Sequence, residues 1–323
     1  METGNSSLQS LGNSEEESSL KYAFDIAVYT MTAIVPPILG VIGITGNVLS
    51  FLLMSQKKYE KSTTCFYMRC IAVFDCAYIY GRMFLRYILV IAPQLFTSLQ
   101  IKEPYCYYYS VTNTITRLFS PWLLVVMAFD RFLALTWPLK AATICTMARA
   151  KITTAVIVIL SIGLGLLHLL NTYQEKFKFW MCPYHFEEPI DAIYEVVQAI
   201  VIQFLPVGCL AIFNTGILAA VYRSKTMTSL NKSTSQDSSV TLATVLLTTY
   251  YVLFQIPEQA VTIYWTYWGG VITPDIEQWQ RLSNDCSIMF ENMNYCLNSY
   301  FYMFACKRIR SEWFSMVRSC RRL

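Results

Sequence analysis

The chain is poor in charged residues and has almost no histidine. Charged residues make up 14% of the sequence, and the two histidines are His168 and His185. The sequence contains no His-Glu-x-x-His metal motif, no phosphate-binding Gly-Lys motif and no Ser/His/Asp set that converges plausibly. Because metal-dependent and nucleophilic chemistry depends on such patterns, we predict that the protein is not an enzyme and holds no metal centre. An internal repeat of the kind found in secondary transporters is also missing.

Hydrophobic residues, by contrast, make up 55% of the chain, and aromatic residues make up 15%. With a mean hydropathy of +0.40, the composition is too apolar for a soluble domain of 323 residues. Seven apolar runs are close to the length of about 20 residues that spans a bilayer. The runs cover residues 25–54, 65–92, 106–128, 150–170, 192–222, 240–266 and 284–305. We therefore predict an all-α fold, a bundle of seven transmembrane helices.

The basic residues predict the orientation of this bundle. The faces that follow spans one, three, five and seven hold 17 of the 25 basic residues but only four of the 21 acidic residues. By the positive-inside rule these faces are cytosolic, so we expect a multi-pass plasma-membrane protein with an extracellular amino terminus. The net charge of +4 reflects this topology and does not indicate nucleic-acid binding.

Three regions follow from the predicted topology. Residues 1–24 form an extracellular tail with an N-glycosylation sequon at Asn5, and residues 25–305 form the seven-span domain. Residues 306–323 form an amphipathic helix and a short cytosolic tail. Within this tail, residues 306–318 combine apolar positions at helical spacing with basic neighbours, which predicts a helix lying on the inner leaflet.

Four of the 11 cysteines have predicted roles. Topology leaves only Cys106 and Cys182 clearly on the oxidising outer side, so we predict a disulfide between them. Cys306 and Cys320 flank the amphipathic helix and are predicted lipidation sites. The remaining cysteines are expected to be small buried hydrophobic residues.

Polar residues recur on one face of three predicted spans. On span three they are separated by steps of four, four, three and eleven residues, which all fit one helical face. The rows are Tyr109, Asn113, Arg117, Ser120 and Arg131 on span three, Glu291, Asn294, Asn298 and Tyr302 on span seven, and Asp75, Arg82 and Arg86 on span two. We expect the three rows to face a common axis inside the bundle.

Several of these polar residues are charged and lie toward the outer half of the bundle, where an unpaired charge costs several kcal/mol. One interpretation is that the polar side chains satisfy one another and hold the helices together. For the charges we favour a second interpretation, a water-filled cavity that accepts a ligand with an anionic or carbonyl-rich part and a cationic part. The predicted pocket consists of Arg82, Arg86, Tyr109, Asn113, Arg117, Gln255, Glu258 and Glu291.

Short motifs follow one another in a characteristic order along the spans. They are Gly46-Asn47 in span one, Asp75 in span two, Cys106 and Asp130-Arg131-Phe132 in span three, Pro206 in span five, Pro257 in span six and Asn298-Ser299-Tyr300-Phe301-Tyr302 in span seven. With these motifs the chain resembles the rhodopsin-like (class A) G-protein-coupled receptors across the whole bundle. Lys61-Ser62-Thr63-Thr64-Cys65 and Trp137-Pro138-Leu139-Lys140 are similar to segments of invertebrate FMRFamide-type neuropeptide receptors.

This resemblance implies a switch at the inner end of the bundle. Asp130 is expected to hold Arg131 until an extracellular ligand shifts span six, after which Arg131 meets the Gα subunit of a heterotrimeric G protein. Asp237 is expected to hold Arg131 as well, and Asn298 and Tyr302 belong to the same switch. Receptor kinases and arrestin are the further partners that the resemblance implies, with phosphorylation expected mainly in the Ser/Thr-rich third inner loop.

The resemblance also implies a polar core that binds a sodium ion in the inactive state. The expected core consists of Asn47, Asp75, Ser120, Asn294 and Asn298. A charged Asp75 among apolar helices needs a counter-ion on physical grounds too. Sodium at Asp75 is the one cofactor that we expect.

Some residues depart from the family pattern. Gln255 stands where a tryptophan is usual, Ser299 replaces a proline, and Pro121 is expected to kink span three because it removes a backbone donor. Asn113 and Asn292 stand where amine receptors carry an aspartate and opsins a retinal-linked lysine, which disfavours both subclasses.

We expect a peptide ligand, with a lipid or a small chemosensory ligand as alternatives. A non-signalling scavenger receptor and a transporter are the alternative functions.

Overall fold

A computed structural model describes residues 19, 21–92, 94, 102–171, 196–227, 235–267, 274–305 and 307–320, with the backbone alone at several helix ends. Across these ranges all regular structure is helical. The prediction of an all-α bundle followed by a short amphipathic helix is confirmed. We call the end that carries Arg86 the outer end and the end that carries Arg131 the inner end, following the predicted orientation.

Seven long helices correspond to the seven predicted spans. Helix α1 is Lys21–Met54, and α2 consists of Thr63–Tyr78, a π-helical turn Ile79–Phe84 and a final segment Leu85–Ile91. Helix α3 is Lys102–Thr136 and α4 is Met147–Asn171. Helix α5 joins a π-helical turn Ala199–Phe204 to Leu205–Met227. Helices α6, α7 and α8 are Ser235–Tyr267, Pro274–Ala305 and Lys307–Cys320.

The ends of some helices differ from the predicted ones. Helix α3 continues to Thr136 instead of ending near residue 128, because its polar Asp130-Arg131 pair is compatible with a helix and no proline or glycine occurs between residue 128 and Pro138. Pro138 then begins a short helix, Pro138–Ile144, and Pro274 begins α7, ten positions (284 − 274) before the predicted start. Proline suits a first helical position because no intrahelical partner is available there for a backbone N–H.

Within the described residues, five of the seven helices are long and apolar enough to cross a membrane: α1, α3, α4, α5 and α6. Helices α2 and α7 are long enough but less apolar, because they carry the charged residues that face the interior. The arrangement is a ring in which α7 closes onto α1, while α3 lies centrally and contacts α2, α4, α5 and α6. Phe119, Leu123 and Met127 of α3 are fully buried in this core, and Ile159 of α4 and Ile212 of α5 are exposed on its outer surface.

The π-helical turn in α2 positions one of the candidate site residues. A Cβ atom on Gly81 would lie 2.6 Å from Cγ2 of Thr112, so glycine is what allows α2 to approach α3 this closely. The next residue, Arg82, is buried at this crossing. A π-helical turn adds one residue to the helical ladder and is often found at functional sites. In α3, Pro121 does not interrupt the helix, and the predicted kink stays a prediction.

Candidate functional site

The charged residues of the outer half form one buried network across four helices. From α3, Arg117 donates through Nη2 to Oε1 of Glu258 on α6 at 2.9 Å, and its Nε lies 2.8 Å from Oε1 of Glu291 on α7. From α2, Nη1 of Arg82 lies 2.9 Å from Oε2 of Glu291 and donates to Oδ1 of Asn113 at 2.7 Å. The structure therefore brings together five of the eight residues of the predicted pocket, and Gln255 joins them as a sixth through Glu258.

The network is electrically balanced and almost inaccessible. The side chain of Glu291 is 1% exposed and that of Arg82 7%, while Glu258 and Arg117 reach 10% and 15%. Two guanidinium groups and two carboxylates cancel, which removes most of the penalty for a charge in a membrane. In this structure the four charges satisfy one another, as in the first interpretation, and the ligand-accepting cavity stays a prediction.

Gln255 connects this network to the middle of α7. The second carboxylate oxygen of Glu258 accepts from Nε2 of Gln259 at 3.2 Å and from Nε2 of Gln255 at 3.4 Å. The amide oxygen of Gln255 in turn accepts from Nδ2 of Asn294 at 3.4 Å. The side chain at the usual tryptophan position is thus a hydrogen-bonding link between α6 and α7.

A second ion pair, nearer the outer end, was not predicted from the sequence. Nη2 of Arg86 on α2 lies 2.6 Å from Oδ1 of Asp285 on α7. Beside it, Tyr78 donates to Oδ1 of Asn292 at 3.0 Å and stacks on Tyr295, with ring centroids 3.6 Å apart. Asp285 lies seven residues (292 − 285) before Asn292, and this spacing is the signal that could have placed both on the inward face of α7.

The predicted sodium core is partly assembled around Asp75. Oδ1 of Asp75 accepts from Ser120 of α3 at 2.9 Å, and Oδ2 accepts from Nδ2 of Asn298 of α7 at 2.6 Å. Asp75 is fully buried, and Oδ1 of Asn294 is a buried oxygen without a hydrogen-bond donor among the described residues. A buried carboxylate, a hydroxyl and an unused amide oxygen are the kind of oxygen donors that a small hard cation takes, so these residues fit sodium.

Asn47 bonds to α7, and its place in the sodium core stays a prediction. Its Nδ2 donates to the backbone oxygen of Tyr295 at 2.9 Å, and its Oδ1 accepts from Ser299 at 3.3 Å. These contacts fasten α1 to α7. Ser299, at the usual proline position, thereby contributes a hydrogen bond that a proline could not make.

At the inner end, Arg131 donates through Nη2 to Oγ1 of Thr64 on α2. The carboxylate of Asp130 lies beside Tyr67 of α2, Cys145 and the guanidinium of Arg131. Burial and the nearby Asp130 carboxylate raise the pKa of the Cys145 thiol, in the second inner loop, to about 11. The contacts of Thr64 and Tyr67 of α2 with this pair were not predicted from the sequence. The hold of Asp130 on Arg131 stays a prediction.

The other predicted switch residues divide into two groups. The hydroxyl of Tyr302 donates to the sulfur of Met127 at 3.6 Å, at the centre of the bundle. The side chain of Asp237 lies outside the described part of the structure. The same holds for the remaining predicted positions, which are Asn5, Cys106, Tyr109, Cys182, Cys306 and Cys320.

Comparison with known proteins agrees with this architecture. Residues 46–302 match the family described as 7 transmembrane receptor (rhodopsin family). The C-C chemokine receptor type 1 of Macaca fascicularis is 24% identical over 291 residues, which cover 87% of this chain and 78% of the relative. The Homo sapiens receptor of the same name is 23% identical over 287 residues, covering 86% and 77%.

These matches confirm the predicted receptor class and agree with the prediction that the protein is not an enzyme. Neither relative is an FMRFamide-type receptor, so that narrower resemblance stays a prediction. The family match extends from Gly46 of α1 to Tyr302 of α7 and so includes each of the buried clusters described above. The chain belongs to the rhodopsin family of seven-transmembrane receptors.

Proposed function

We propose that this membrane receptor binds an extracellular peptide at the outer ends of its helices and activates a heterotrimeric G protein at the inner end. The observation that carries the proposal is the buried network of Arg82, Arg117, Glu258 and Glu291, which joins α2, α3, α6 and α7 in the outer half. Arg117 and Arg131 lie on the same helix, 14 residues apart (131 − 117), or roughly 21 Å along its axis. A ligand that disturbs the network therefore acts on the helix that carries the coupling residue.

A peptide is the ligand class best supported. The relatives are named as C-C chemokine receptors, which favours a polypeptide ligand over a lipid or a small chemosensory molecule. The network offers both cationic and anionic side chains, and a peptide carries groups of both signs. A neuropeptide is our specific proposal, on the strength of the resemblance to FMRFamide-type receptors.

Activation proceeds, in this proposal, through α6. The contact of Glu258 with Arg117 ties α6 to α3, and Gln255 ties it to α7. When a ligand replaces the contact of Glu258, α6 is free to move outward at its inner end. Arg131 then leaves its contacts with α2 and, we propose, with Asp130 and Asp237, and meets the Gα subunit.

The cluster around Asp75 stabilises the inactive arrangement. Asp75, Ser120, Asn294 and Asn298 are the residues that would hold sodium, which would supply the counter-charge of the buried carboxylate. Without the ion, Ser120 and Asn298 donate to the carboxylate and join α2, α3 and α7. Loss of these bonds would let α7 move relative to α3.

Three further partners follow from the receptor class. Receptor kinases and arrestin are proposed to act on the Ser/Thr-rich third inner loop, residues 224–239. Membrane lipid is proposed to contact α8, whose Ile309 and Trp313 are buried against the bundle while Phe314 is exposed. Ser311 and Ser315 are also exposed on α8, but the third inner loop carries more hydroxyl groups.

The proposal is tested by measuring nucleotide exchange. Membranes from cells that express the receptor are screened with a peptide library in which each sequence is made as the free acid and as the C-terminal amide. We expect at least one peptide to increase the binding of labelled GTP to the G protein. A peptide that binds saturably and is internalised without any such increase at saturating dose would instead establish a scavenger receptor, which the unusual Gln255 and Pro121 would suit.

A further inference from the structure

Arg69 lies on the outward face of α2, where the helix meets lipid. The outward face consists of Phe66, Arg69, Val73 and Ala77, which are separated by steps of three, four and four residues and fit one helical stripe. Val73 is 50% exposed, and Ala77 is exposed as well. Among the described residues Arg69 has no salt bridge and no hydrogen-bond acceptor, and its Nε atom is buried. A charge on the lipid-facing side of a helix is costly, so Arg69 needs a counter-charge.

The guanidinium of Arg69 is directed toward the inner surface of the membrane. Helix α2 runs from the inner end of the bundle to the outer end, so Phe66 lies almost one turn nearer the inner surface than Arg69. The Cζ atom of Arg69 lies 5.7 Å from the centre of the Phe66 ring. Arg69 is four residues (69 − 65) inside the predicted span, or about 6 Å along the helix. An arginine side chain can reach the headgroup layer from this depth.

The first inner loop adds positive charge at the same end of α2. Lys57 and Lys61 are exposed and form no salt bridge among the described residues. Lys58 is paired with a carboxylate of α8, and Glu60 is the loop's own acidic residue. Lys57, Lys61 and Arg69 against Glu60 leave two positive charges in excess. The inner end of α2 therefore attracts anions from the cytosolic side of the membrane.

We propose that Arg69 binds the phosphate of an anionic phospholipid in the inner leaflet, with Lys57 and Lys61 adding attraction for its charge. A guanidinium presents parallel N–H donors that match two phosphate oxygens. The phosphate lies at the headgroup level that this guanidinium reaches, and the acyl chains have the apolar stripe of Val73 and Ala77 to lie against. This inference goes beyond the proposed function, because it concerns neither the peptide nor the G protein.

The net charge of the lipid decides how well it fits this site. A zwitterionic lipid has a phosphate too, but its own ammonium group already compensates that phosphate. An anionic lipid carries an uncompensated negative charge and supplies the counter-charge that Arg69 lacks among the described residues. The site therefore distinguishes phosphatidylglycerol from phosphatidylcholine.

The test uses the purified full-length chain in nanodiscs of two compositions. One is phosphatidylcholine alone, and the other is equal parts phosphatidylcholine and phosphatidylglycerol. We expect the midpoint of thermal unfolding to be higher in the mixture by roughly 2–4 °C. Inorganic phosphate added to the phosphatidylcholine nanodiscs should give no such rise, because the proposed site takes a lipid.

Substitutions of Arg69 locate the effect. Arg69→Gln should lose most of the rise, and Arg69→Lys, which keeps the charge but loses the parallel donors, should show a smaller rise than the wild type. In phosphatidylcholine alone Arg69→Gln should be at least as stable as the wild type, because the uncompensated charge is gone. The matched control is Arg223→Gln, which removes an exposed arginine at the inner end of α5 and should keep the full rise.

Native mass spectrometry of the receptor in detergent measures the binding directly. The wild-type chain and Arg223→Gln should retain phosphatidylglycerol in preference to phosphatidylcholine. Arg69→Gln should bind phosphatidylglycerol at least about tenfold more weakly.

Three results would overturn the proposal. Equal rises in the wild type, Arg69→Gln and Arg223→Gln would show that the anionic membrane acts on net charge without a site. Unfolding of Arg69→Gln in both compositions would show that Arg69 has a partner within the protein. A rise with inorganic phosphate alone would assign the site to a free anion. Since no ligand or G protein takes part, each of these failures leaves the proposed receptor function standing.

Discussion

Arg117 is the residue on which the outer network depends. A single guanidinium on α3 contacts carboxylates from α6 and α7, and it is only 15% exposed. A buried charge that loses one partner is left partly uncompensated, which costs about 3–5 kcal/mol. Arg117 therefore stabilises one arrangement of three helices, and a change in its pairing shifts the balance between arrangements.

Replacing Glu258 with Gln tests this role. The variant removes one of two carboxylates from Arg117, so we expect the free energy of unfolding to fall by about 3 kcal/mol. Because α6 also loses its charged contact with α3, the binding of labelled GTP to the G protein without ligand should increase. Thermal unfolding in detergent and nucleotide exchange on membranes measure the two effects.

Glu277→Gln is the matched control, because Glu277 is exposed on α7 and its loss should change stability by no more than about 0.5 kcal/mol. The double variant Arg117→Met, Glu258→Leu removes one charge of each sign and leaves Arg82 and Glu291 balanced. It should be less destabilised than Glu258→Gln alone. Equal losses in Glu258→Gln and Glu277→Gln would contradict this role of Arg117.

Asp75→Asn tests the polar core at the same scale. Sodium chloride, compared with choline chloride, should stabilise the wild-type receptor against heat and lower its basal nucleotide exchange, because a cation offsets the buried carboxylate. Asparagine has no charge to offset, so both sodium effects should disappear in the variant. A sodium effect of the same size in Asp75→Asn would place the ion elsewhere.

At the scale of the helices, close packing of α1 against α7 depends on Gly43. A Cβ atom at this position would lie 2.9 Å from Cα of Cys296 and 2.7 Å from Cδ1 of Ile79. We expect Gly43→Ala to destabilise the receptor by about 1–3 kcal/mol, because a backbone atom cannot move aside. Thermal unfolding checks this expectation.

Gly163 on α4 provides the comparison, since a Cβ atom there has nothing within 4 Å among the described residues. Gly163→Ala should be neutral or stabilise by up to about 1 kcal/mol, because alanine favours the helix more than glycine does. The two glycines thus predict opposite outcomes for the same substitution. If both variants melted at the wild-type temperature, the close approach of α1 and α7 would be refuted.

How much of each element could be predicted depended on whether its determinants are local. Apolar runs are local patterns, so the helices were predicted correctly, and the polar rows of α2, α3 and α7 contain Arg82, Arg117 and Glu291, which the structure brings together. The pairing of Arg117 with Glu258 and Glu291 depends on helix rotation and contact, which one sequence does not encode locally. In α2 the π-helical turn Ile79–Phe84 changes the register between Asp75 and Arg86, and a regular helical repeat could not anticipate the pair with Asp285.

At the scale of the whole molecule, polar residues lie inside the bundle and apolar residues lie on its outer surface, as expected for a protein that spans a membrane. Charged and amide side chains meet along the axis, whereas large apolar residues such as Ile159 and Ile212 are exposed on α4 and α5. At the inner end, Glu312 of α8 lies 2.5 Å from Lys58 and accepts from the hydroxyl of Tyr59 at 2.9 Å. The first inner loop and α8 therefore meet at the inner end of the bundle.

The most direct test of the receptor function measures ligand-stimulated binding of labelled GTP to the G protein in membranes that carry the Arg131→Ala receptor. Antibody labelling measures the amount of receptor at the cell surface. The control is Arg149→Ala, which changes an exposed arginine of α4. We predict that Arg131→Ala reaches the surface and binds the peptide found by screening but promotes no nucleotide exchange, while Arg149→Ala signals normally. Wild-type exchange by Arg131→Ala at equal surface density would contradict the proposed coupling through Arg131.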